Sequence, residues 1–498
     1  MSLRERLIGE QGQNVAHSKE ESIERGKALR ESVPWETHAQ WTATDDRPNP
    51  VELLRSQGKT RVHALLPLRY ERMSASAFTF YRGGALIMAS DLSGTPVTGI
   101  NVQACGDAHI SNFGLFSSPE RRTVFDINDF DETLPGPWEW DVKRLAASVE
   151  ICGRDNGFAK KVRKAAVLAC VQSYRESMAR FADMGHLDVW YAHLDEELLR
   201  SRLNTDLDAV NVKYVEKTIA KAKGKNSARA IRKLTEVVDG QLRIISDPPI
   251  VFPLRELVAQ KGSERMAERF DEQALERTML KILAEYRSTL TPDKRQLVGE
   301  YTPVDMAHKV VGVGSVGTRA WIVVMQGADE NDPLVLQIKE AQESVLERFV
   351  GKSKCKQHGQ RVVEGQRAIQ TASDMLLGWC RLPGEDRKLK DYYVRQLWDG
   401  KGSIDLSLLS PERMTLLAQA CGWTLAHAHA RTGDRFAIAA YLGDSNEFDR
   451  AIFKFANAYA NQNEIDYQRF MEALEAGELA ETADTSEMEE EIAGSIQE

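Results

Sequence analysis

The chain has 498 residues, 42% hydrophobic and 28% charged, enough for two to four folding units around a large core. This composition excludes collagen-like, coiled-coil and fully disordered chains, and no run of 18 or more apolar residues is available to span a membrane. Net charge is −9, but residues 472–498 hold ten acidic residues and no Lys or Arg, which leaves the remainder at +1 and writes no nucleic-acid footprint into its charge.

The opening MSLRERLIGEQGQ lacks the apolar segment of a secretory signal. Six cysteines without a C-x-x-C pair argue against a disulfide framework or zinc knuckle and for a reducing, cytoplasmic setting. In chain order, the pattern predicts a helix over Lys19–Ser32 that ends at Pro34. Short helices or turns follow from Pro50 to about Ser90, including AFTFYRGGALIM. Strands are expected at 97–105, 113–116 and 122–127, then helices over 140–184. The stretch 211–243, with nine Lys or Arg and three acids, reads as a solvated helical hairpin, and helices continue through 255–290. From about Tyr301 the pattern changes. Residues 309–326 read as two strands around a Gly-rich turn, and LVLQIKEA as a third strand. A helix is expected at 358–380, a strand at 391–398, and helices at 411–430 and 446–475. The acidic end reads as a solvated, disordered tail over 476–498.

Two constellations carry chemistry. Gly312-x-Gly314-x-x-Gly317 runs into a strand instead of a helix, which suits a phosphate-covering turn between antiparallel strands better than a Rossmann or Walker loop. Ser315 lies within that turn, and Lys339 ends the following apolar strand. A lysine so placed contacts nucleotide phosphates and pairs with a helical Glu, for which Glu364 is the candidate. The second constellation is Gly106-Asp107-Ala108-His109-Ile110-Ser111-Asn112, followed by Asp126-Ile127-Asn128-Asp129-Phe130-Asp131-Glu132. Phosphoryl transfer needs a carboxylate at the acceptor hydroxyl, a metal-binding carboxylate and a further oxygen ligand. Asp107 suits the first role, and Asn112 with Asp129 suits Mg²⁺, with Asp126 and Asp131 as alternates. A two-metal phosphatase needs more His and Asp ligands than stand near Asp107, and no G-x-S-x-G elbow is present. His427 and His429 point to different helix faces and read as packing residues.

The Asp107–Asn112 loop with His109 resembles the catalytic loop of the aminoglycoside phosphotransferase and choline kinase group, which opens with His where this chain has Cys105. Asp129-Phe130 is similar to that group's metal-binding pair. Trp140-Asp141-Val142-Lys143-Arg144-Leu145-Ala146 is similar to the following helix, whose Asp implies a supporting role for Asp141. The blocks GDAHISNFG, NDFDE and WEWDVKRLA also resemble the bacterial domain of unknown function 2252 over most of residues 15–475.

Kinases place the Gly-rich turn and lysine before the catalytic and metal residues, whereas here they follow some 200 residues later. The expected fold is therefore α+β, two-lobed and protein-kinase-like in circularly permuted order. A large helical lobe would comprise residues 1–300 with 401–475, and a small antiparallel β lobe residues 301–400, with Trp398-Asp399-Gly400-Lys401-Gly402 as the hinge. The expected activity is ATP- and Mg²⁺-dependent phosphoryl transfer to a small-molecule hydroxyl. AMP transfer to a protein, or a nucleotide-binding regulatory pseudokinase, are the alternatives. Neither nucleic acid nor membrane is an expected partner.

Overall fold

The computed structural model describes residues 18–195, 209–224, 227–238, 241–259, 272–310, 312, 314–329, 331–383, 389–397, 402 and 404–479. Of the hinge expected at 398–402 only Gly402 is described, exchanging backbone hydrogen bonds with Leu115, and of the tail expected at 476–498 only residues 476–479; Val311 and Val313 also lie outside the described residues.

The first helix, α1 (Lys19–Ser32), starts at a reciprocal cap in which the Glu21 N–H donates to Ser18 Oγ (3.1 Å) and the Ser18 N–H to Glu21 Oε2 (2.7 Å). Short helices α2 (Pro50–Gly58), α3 (Leu66–Ser74), α4 (Ala77–Gly83) and α5 (Ala85–Ser93) follow. Four strands come next: β1 (Asn101–Ala104), β2 (Phe113–Ser117), β3 (Thr123–Ile127) and β4 (Leu134–Pro137). They pair antiparallel as β1 with β4 and β2 with β3. Helix α6 (Trp138–Asp155) then runs through the interior, every residue from Trp138 to Gly153 being buried. A helix enclosed on all sides needs neighbours on all sides, and α7 (Lys160–Asp183) packs along it. The short α8 is His186–Tyr191.

The basic stretch departs from the expected helical hairpin. Helices α9 (Ala209–Lys223) and α10 (Ser227–Leu234) lead into an antiparallel hairpin of β5 (Thr235–Val238) and β6 (Gln241–Ile244). The β-branched residues Thr235, Val237, Val238 and Ile244 favour the pleat, and Thr235 and Ile244 are buried.

A six-stranded antiparallel sheet forms the second layer. Its strands are β7 (Val251–Pro253), β8 (Thr302–Lys309), β9 (Ala320–Gln326), β10 (Pro333–Glu340), β11 (Gly378–Pro383) and β12 (Leu389–Gln396), in the order β11-β12-β10-β9-β8-β7. Between β7 and β8 lie α11 (Leu254–Ala259), α12 (Glu272–Ser288) and α13 (Pro292–Gly299); the turn α14 (Glu347–Val350) and helix α15 (His358–Ile369) follow β10. The expected helix at 358–380 stops at Ile369, where Gln370 leaves the helical conformation and Asp374 bonds the Leu376 and Gln396 N–H groups. Gly378–Pro383 is then free to pair with β12. Alternation divides the sheet: Trp321, Val323, Leu336 and Ile338 pack with Ile282 and Tyr286 of α12, while Ile322, Val324 and Val335 face Ile231 and Leu234 of α10.

The chain finishes with α16 (Pro411–Thr432), α17 (Arg435–Leu442) and α18 (Glu447–Glu475). α16 lies along α7, and its C-terminal end reaches β1, where the Gln103 N–H donates to Thr432 Oγ1 (3.2 Å). The protein is thus a mixed α+β chain with antiparallel sheets, and among the described residues no helix is long and apolar enough to cross a membrane.

The α7–α16 contact is close because Gly422 faces the backbone of α7, and a Cβ there would collide with the Cys170 carbonyl. Gly422→Ala should lower unfolding stability by about 1–3 kcal/mol despite alanine's better helix propensity. Urea unfolding followed by circular dichroism measures this, and a gain in stability would contradict so tight an approach.

Candidate functional site

Asp141, in the first turn of α6, accepts the N–H groups of Cys105 (2.6 Å) and Gly106 (3.0 Å). His429 of α16 stands behind it, with Nε2 3.3 Å from Asp141 Oδ2 and Nδ1 2.8 Å from the Tyr174 hydroxyl. A carboxylate can only accept, so Nε2 carries the proton toward Asp141 and the Tyr174 hydroxyl donates to Nδ1. His427, by contrast, stacks on Trp423 and bonds Val189 O, as a packing residue would. Gly106 takes φ +79°, and a side chain there would strike the Glu132 carbonyl. The loop then closes on itself: Asn112 Nδ2 donates to Asp107 O (2.7 Å), and the buried Ser148 Oγ accepts the Ile110 N–H (2.9 Å).

Asp107 points into a cavity but is not alone. Arg144, one helical turn beyond Asp141 on α6, donates from Nε to Asp107 Oδ1 (2.6 Å) and from Nη2 to Tyr81 O (3.2 Å). Sequence reasoning missed Arg144, although its i+3 spacing from Asp141 put both on one face. His109 Nε2 lies 3.8 Å from Asp107 Oδ2. Burial, partly offset by Asp107 and reinforced by Arg82 and Arg144, lowers His109 to about 4, so it is neutral at pH 7.

The acidic segment 126–132 separates into different jobs. Asp126, expected as an alternate metal ligand, is buried outside the cavity lining and accepts the N–H groups of Ile127 and Thr371 (both 2.8 Å), tying β3 to the end of α15. Burial, against those two donors, raises it to about 6. Asp129 lines the cavity with Asn112, and the Asn128 N–H donates to Asn112 O (2.8 Å), which holds the two segments side by side. Asp131 receives Lys339 Nζ from β10, the Tyr393 hydroxyl from β12 (2.9 Å) and Ser315 Oγ (3.4 Å). Lys339 also donates to Ser315 Oγ (2.9 Å). Burial alone would lower the Lys339 ammonium, but the carboxylates of Asp129 and Asp131 outweigh it and hold the pKa raised.

Glu364 does not pair with Lys339. It lies on the exposed face of α15 and engages Gln360 (2.7 Å) and Cys355 (3.5 Å). The buried face carries Arg361, Val362, Gly365, Gln366 and Ile369, and at 100° per residue Glu364 falls opposite its centre. Arg361 is what α15 sends inward. It donates to the carbonyls of Thr133 (2.7 Å), Asp131 (2.8 Å) and Gln342 (2.8 Å), fixing the acidic segment from behind. A helical pattern read for an acid could not reveal it.

Asp107, His109, Asn112, Asp129 and Asp131 line a cavity of about 360 Å³ together with Gly312, Gly314 and Ser315 of the glycine turn. The glycine turn is held down by Arg72 to Gly312 O (2.5 Å), Arg61 to Val316 O (2.5 Å) and the Val62 N–H to Gly317 O (2.8 Å). Gly317 takes φ +87° directly against the Arg61 side chain. Among the described residues no three His, Cys, Asp or Glu side chains stand in metal-binding geometry. The oxygens of Asp129 and Asn112 nevertheless form a hard donor pair of the kind Mg²⁺ uses when phosphates complete its shell.

A family model described as an uncharacterized protein conserved in bacteria, DUF2252, matches residues 61–473. The chain belongs to the DUF2252 family. No curated protein and no solved structure matches it. The DUF2252 match takes in both the loop segments and the sheet, so all the groups above fall within it.

Glu132 borders the cavity and accepts the Val345 N–H (2.7 Å). Burial, only partly offset by that donor and by Arg361, pushes it up to about 7. A folded pKa above the unfolded one means the native state binds more protons between about pH 4.5 and 7, so this group costs stability as pH rises through that window. Glu132→Gln should therefore gain in melting temperature relative to the unmodified chain between pH 5 and 8. A difference independent of pH would show that Glu132 ionises normally.

Proposed function

We propose that the protein is an ATP- and Mg²⁺-dependent phosphotransferase acting on a hydroxyl of a small molecule, with a kinase-like arrangement in permuted order. One observation carries this reading: Lys339 of the sheet meets Asp131 and Ser315, which line one cavity with Asp107, Asn112 and Asp129. Segments some 200 residues apart converge on one polar pocket, and their residue types are those phosphoryl transfer requires. Further support comes from the strand order around β10, from α15 packed between the sheet and the acidic segment, and from α16 running up to β1.

In this reading Asp107 accepts the acceptor's hydroxyl hydrogen and aligns its oxygen, with Arg144 holding the carboxylate in place. Lys339 and the amides of the Gly312–Gly317 turn hold phosphate oxygens. Asn112 and Asp129 would hold Mg²⁺, which neutralises phosphate charge when bound. Asp131 keeps Lys339 charged and extended, the task expected of Glu364.

Transfer of AMP to a protein, with ATP reversed, is the second reading, and one feature favours it. On the sheet face shared by Lys339 and Tyr393, the next opposed pair is Gln337 and Arg395, joined from Nε to Oε1 at 3.0 Å. A cation and an amide there suit phosphates better than an adenine ring.

Mg²⁺-ATP should raise the melting temperature, a ligand at one hundred times its Kd adding about 2.7 kcal/mol, and ATP with EDTA should do so much less. Asp129→Asn should weaken both binding and turnover, whereas Asp107→Asn should keep binding and lose turnover. Incubation with γ- and α-labelled ATP and a metabolite extract shows which phosphate moves. No nucleotide-dependent shift at millimolar ATP would remove the phosphotransferase reading.

A further inference from the structure

Arg82, in the last turn of α4, borders the cavity. Its side chain is half-buried, and its Nε is buried with no hydrogen-bond partner among the described residues. Burial lowers its pKa, with Asp107 and Asp129 near enough to offset that in part, and its charge in turn depresses His109. A guanidinium whose Nε–H is withdrawn from water ordinarily finds a carboxylate for it. Here Asp107 already receives Arg144, and Asp131 already receives Lys339. With Asp107 and Asp129 near but no hydrogen bond to either, the buried Arg82 Nε–H is a donor suited to an anion that is not part of the protein.

Its position is fixed on both sides. Arg144 bonds Tyr81 O and Asp107 together, and the Tyr81 hydroxyl donates back to Arg144 O (2.7 Å), so the residue preceding Arg82 is tied to the same guanidinium as Asp107. Above it, the carbonyl of Arg82 lies 3.2 Å from where a Cβ on Gly314 would stand, which sets Arg82 under the middle of the glycine turn. Lys339 approaches from the sheet, whereas Arg82 approaches from the helical layer beside Asp107.

We propose that Arg82 binds the non-bridging oxygens of the phosphoryl group in transit, opposite Lys339. This rests on the phosphotransferase reading and adds to it a residue supplied by α4. As the acceptor oxygen bonds to the γ-phosphorus, the bond from that phosphorus to the bridging oxygen breaks and its electron pair leaves on ADP. The hydroxyl proton passes to Asp107. Charge collects on the oxygens facing Arg82, where fixed N–H donors are most effective.

The test uses the full chain with Arg82→Gln and Arg82→Lys, each checked for unchanged circular dichroism and melting temperature. Calorimetric titration with Mg²⁺-ATP and Mg²⁺-ADP should show a preference for ATP in the unmodified chain. Arg82→Gln should lose that preference, with ADP affinity retained and turnover reduced on the order of 10²–10³-fold; Arg82→Lys should fall between. An unaltered ATP-to-ADP ratio and turnover in Arg82→Gln overturns the inference and leaves the phosphotransferase reading standing. Equal weakening toward both nucleotides, with a lowered melting temperature, overturns it in favour of a packing role. If the unmodified chain binds neither nucleotide, the phosphotransferase reading fails and tripolyphosphate becomes the probe. Binding lost in Arg82→Gln then retains Arg82 as an anion-binding residue, and binding indifferent to the substitution removes that too.

Discussion

The buried contact between Lys339 and Asp131 is the constraint on which the rest of the site depends. Lys339 is 3% exposed at the end of β10, so its ammonium cannot be left to water. The only economical arrangement brings an anion to it, and Asp131 comes from the helical layer, more than 200 positions away in the chain. Leaving one member of such a pair alone in the interior costs about 3–5 kcal/mol. The sheet and the helical body are thereby obliged to meet here, and the cavity is the space that meeting leaves.

The surrounding hydrogen bonds serve that contact. Tyr393, opposite Lys339 in the β10–β12 register, gives Asp131 a second donor, and Ser315 brings the glycine turn to the same place. Arg361 holds the carbonyls of Asp131 and Thr133, while the His358 N–H binds Asp391 at the other end of α15. α15 therefore works as a strut between sheet and acidic segment. On the opposite wall Asp141 and Arg144, from one helix, fix respectively the start of the Asp107 loop and the Asp107 carboxylate. Asp107, Asp131 and Lys339 are each held by a side chain from another element, the condition for a preorganised polar site.

Charge distribution within the pocket follows from this division. Of the acidic residues in 126–132, Asp126 accepts backbone N–H groups, Asp131 receives Lys339, Glu132 accepts the Val345 N–H, and Asp129, whose Oδ1 accepts the Asp131 N–H (3.3 Å), lines the cavity with Asn112. Repulsion among closely spaced carboxylates is relieved by turning Asp126, Asp131 and Glu132 toward donors from three other segments, Thr371, Lys339 and Val345.

Much of this was legible in the sequence. Alternation and β-branching marked β2, β3, β9, β10 and β12, and 3.6-residue periodicity marked α6, α7, α16 and α18, because these signals arise from each segment's own burial. The Asp107, Asn112 and Asp129 constellation was visible because residues close in sequence form its turns, and Asp141 was visible by resemblance. Glu364 failed because which face of α15 turns inward is decided by the sheet and the acidic segment packed against it, not by the helix. The shift of 378–380 from helix to strand had the same origin, since β11 pairs only once β12 is in place, while β5 and β6 pair with each other and are tied to β8 where the Ile244 N–H donates to Asp305 Oδ2 (2.8 Å). Side-chain types and local periods were thus set by the chain itself. The partner of Lys339, the inward turn of Arg361 and the burial of the Arg82 Nε–H were decided by tertiary structure, since burial of a charge has no meaning until distant segments have excluded the water around it.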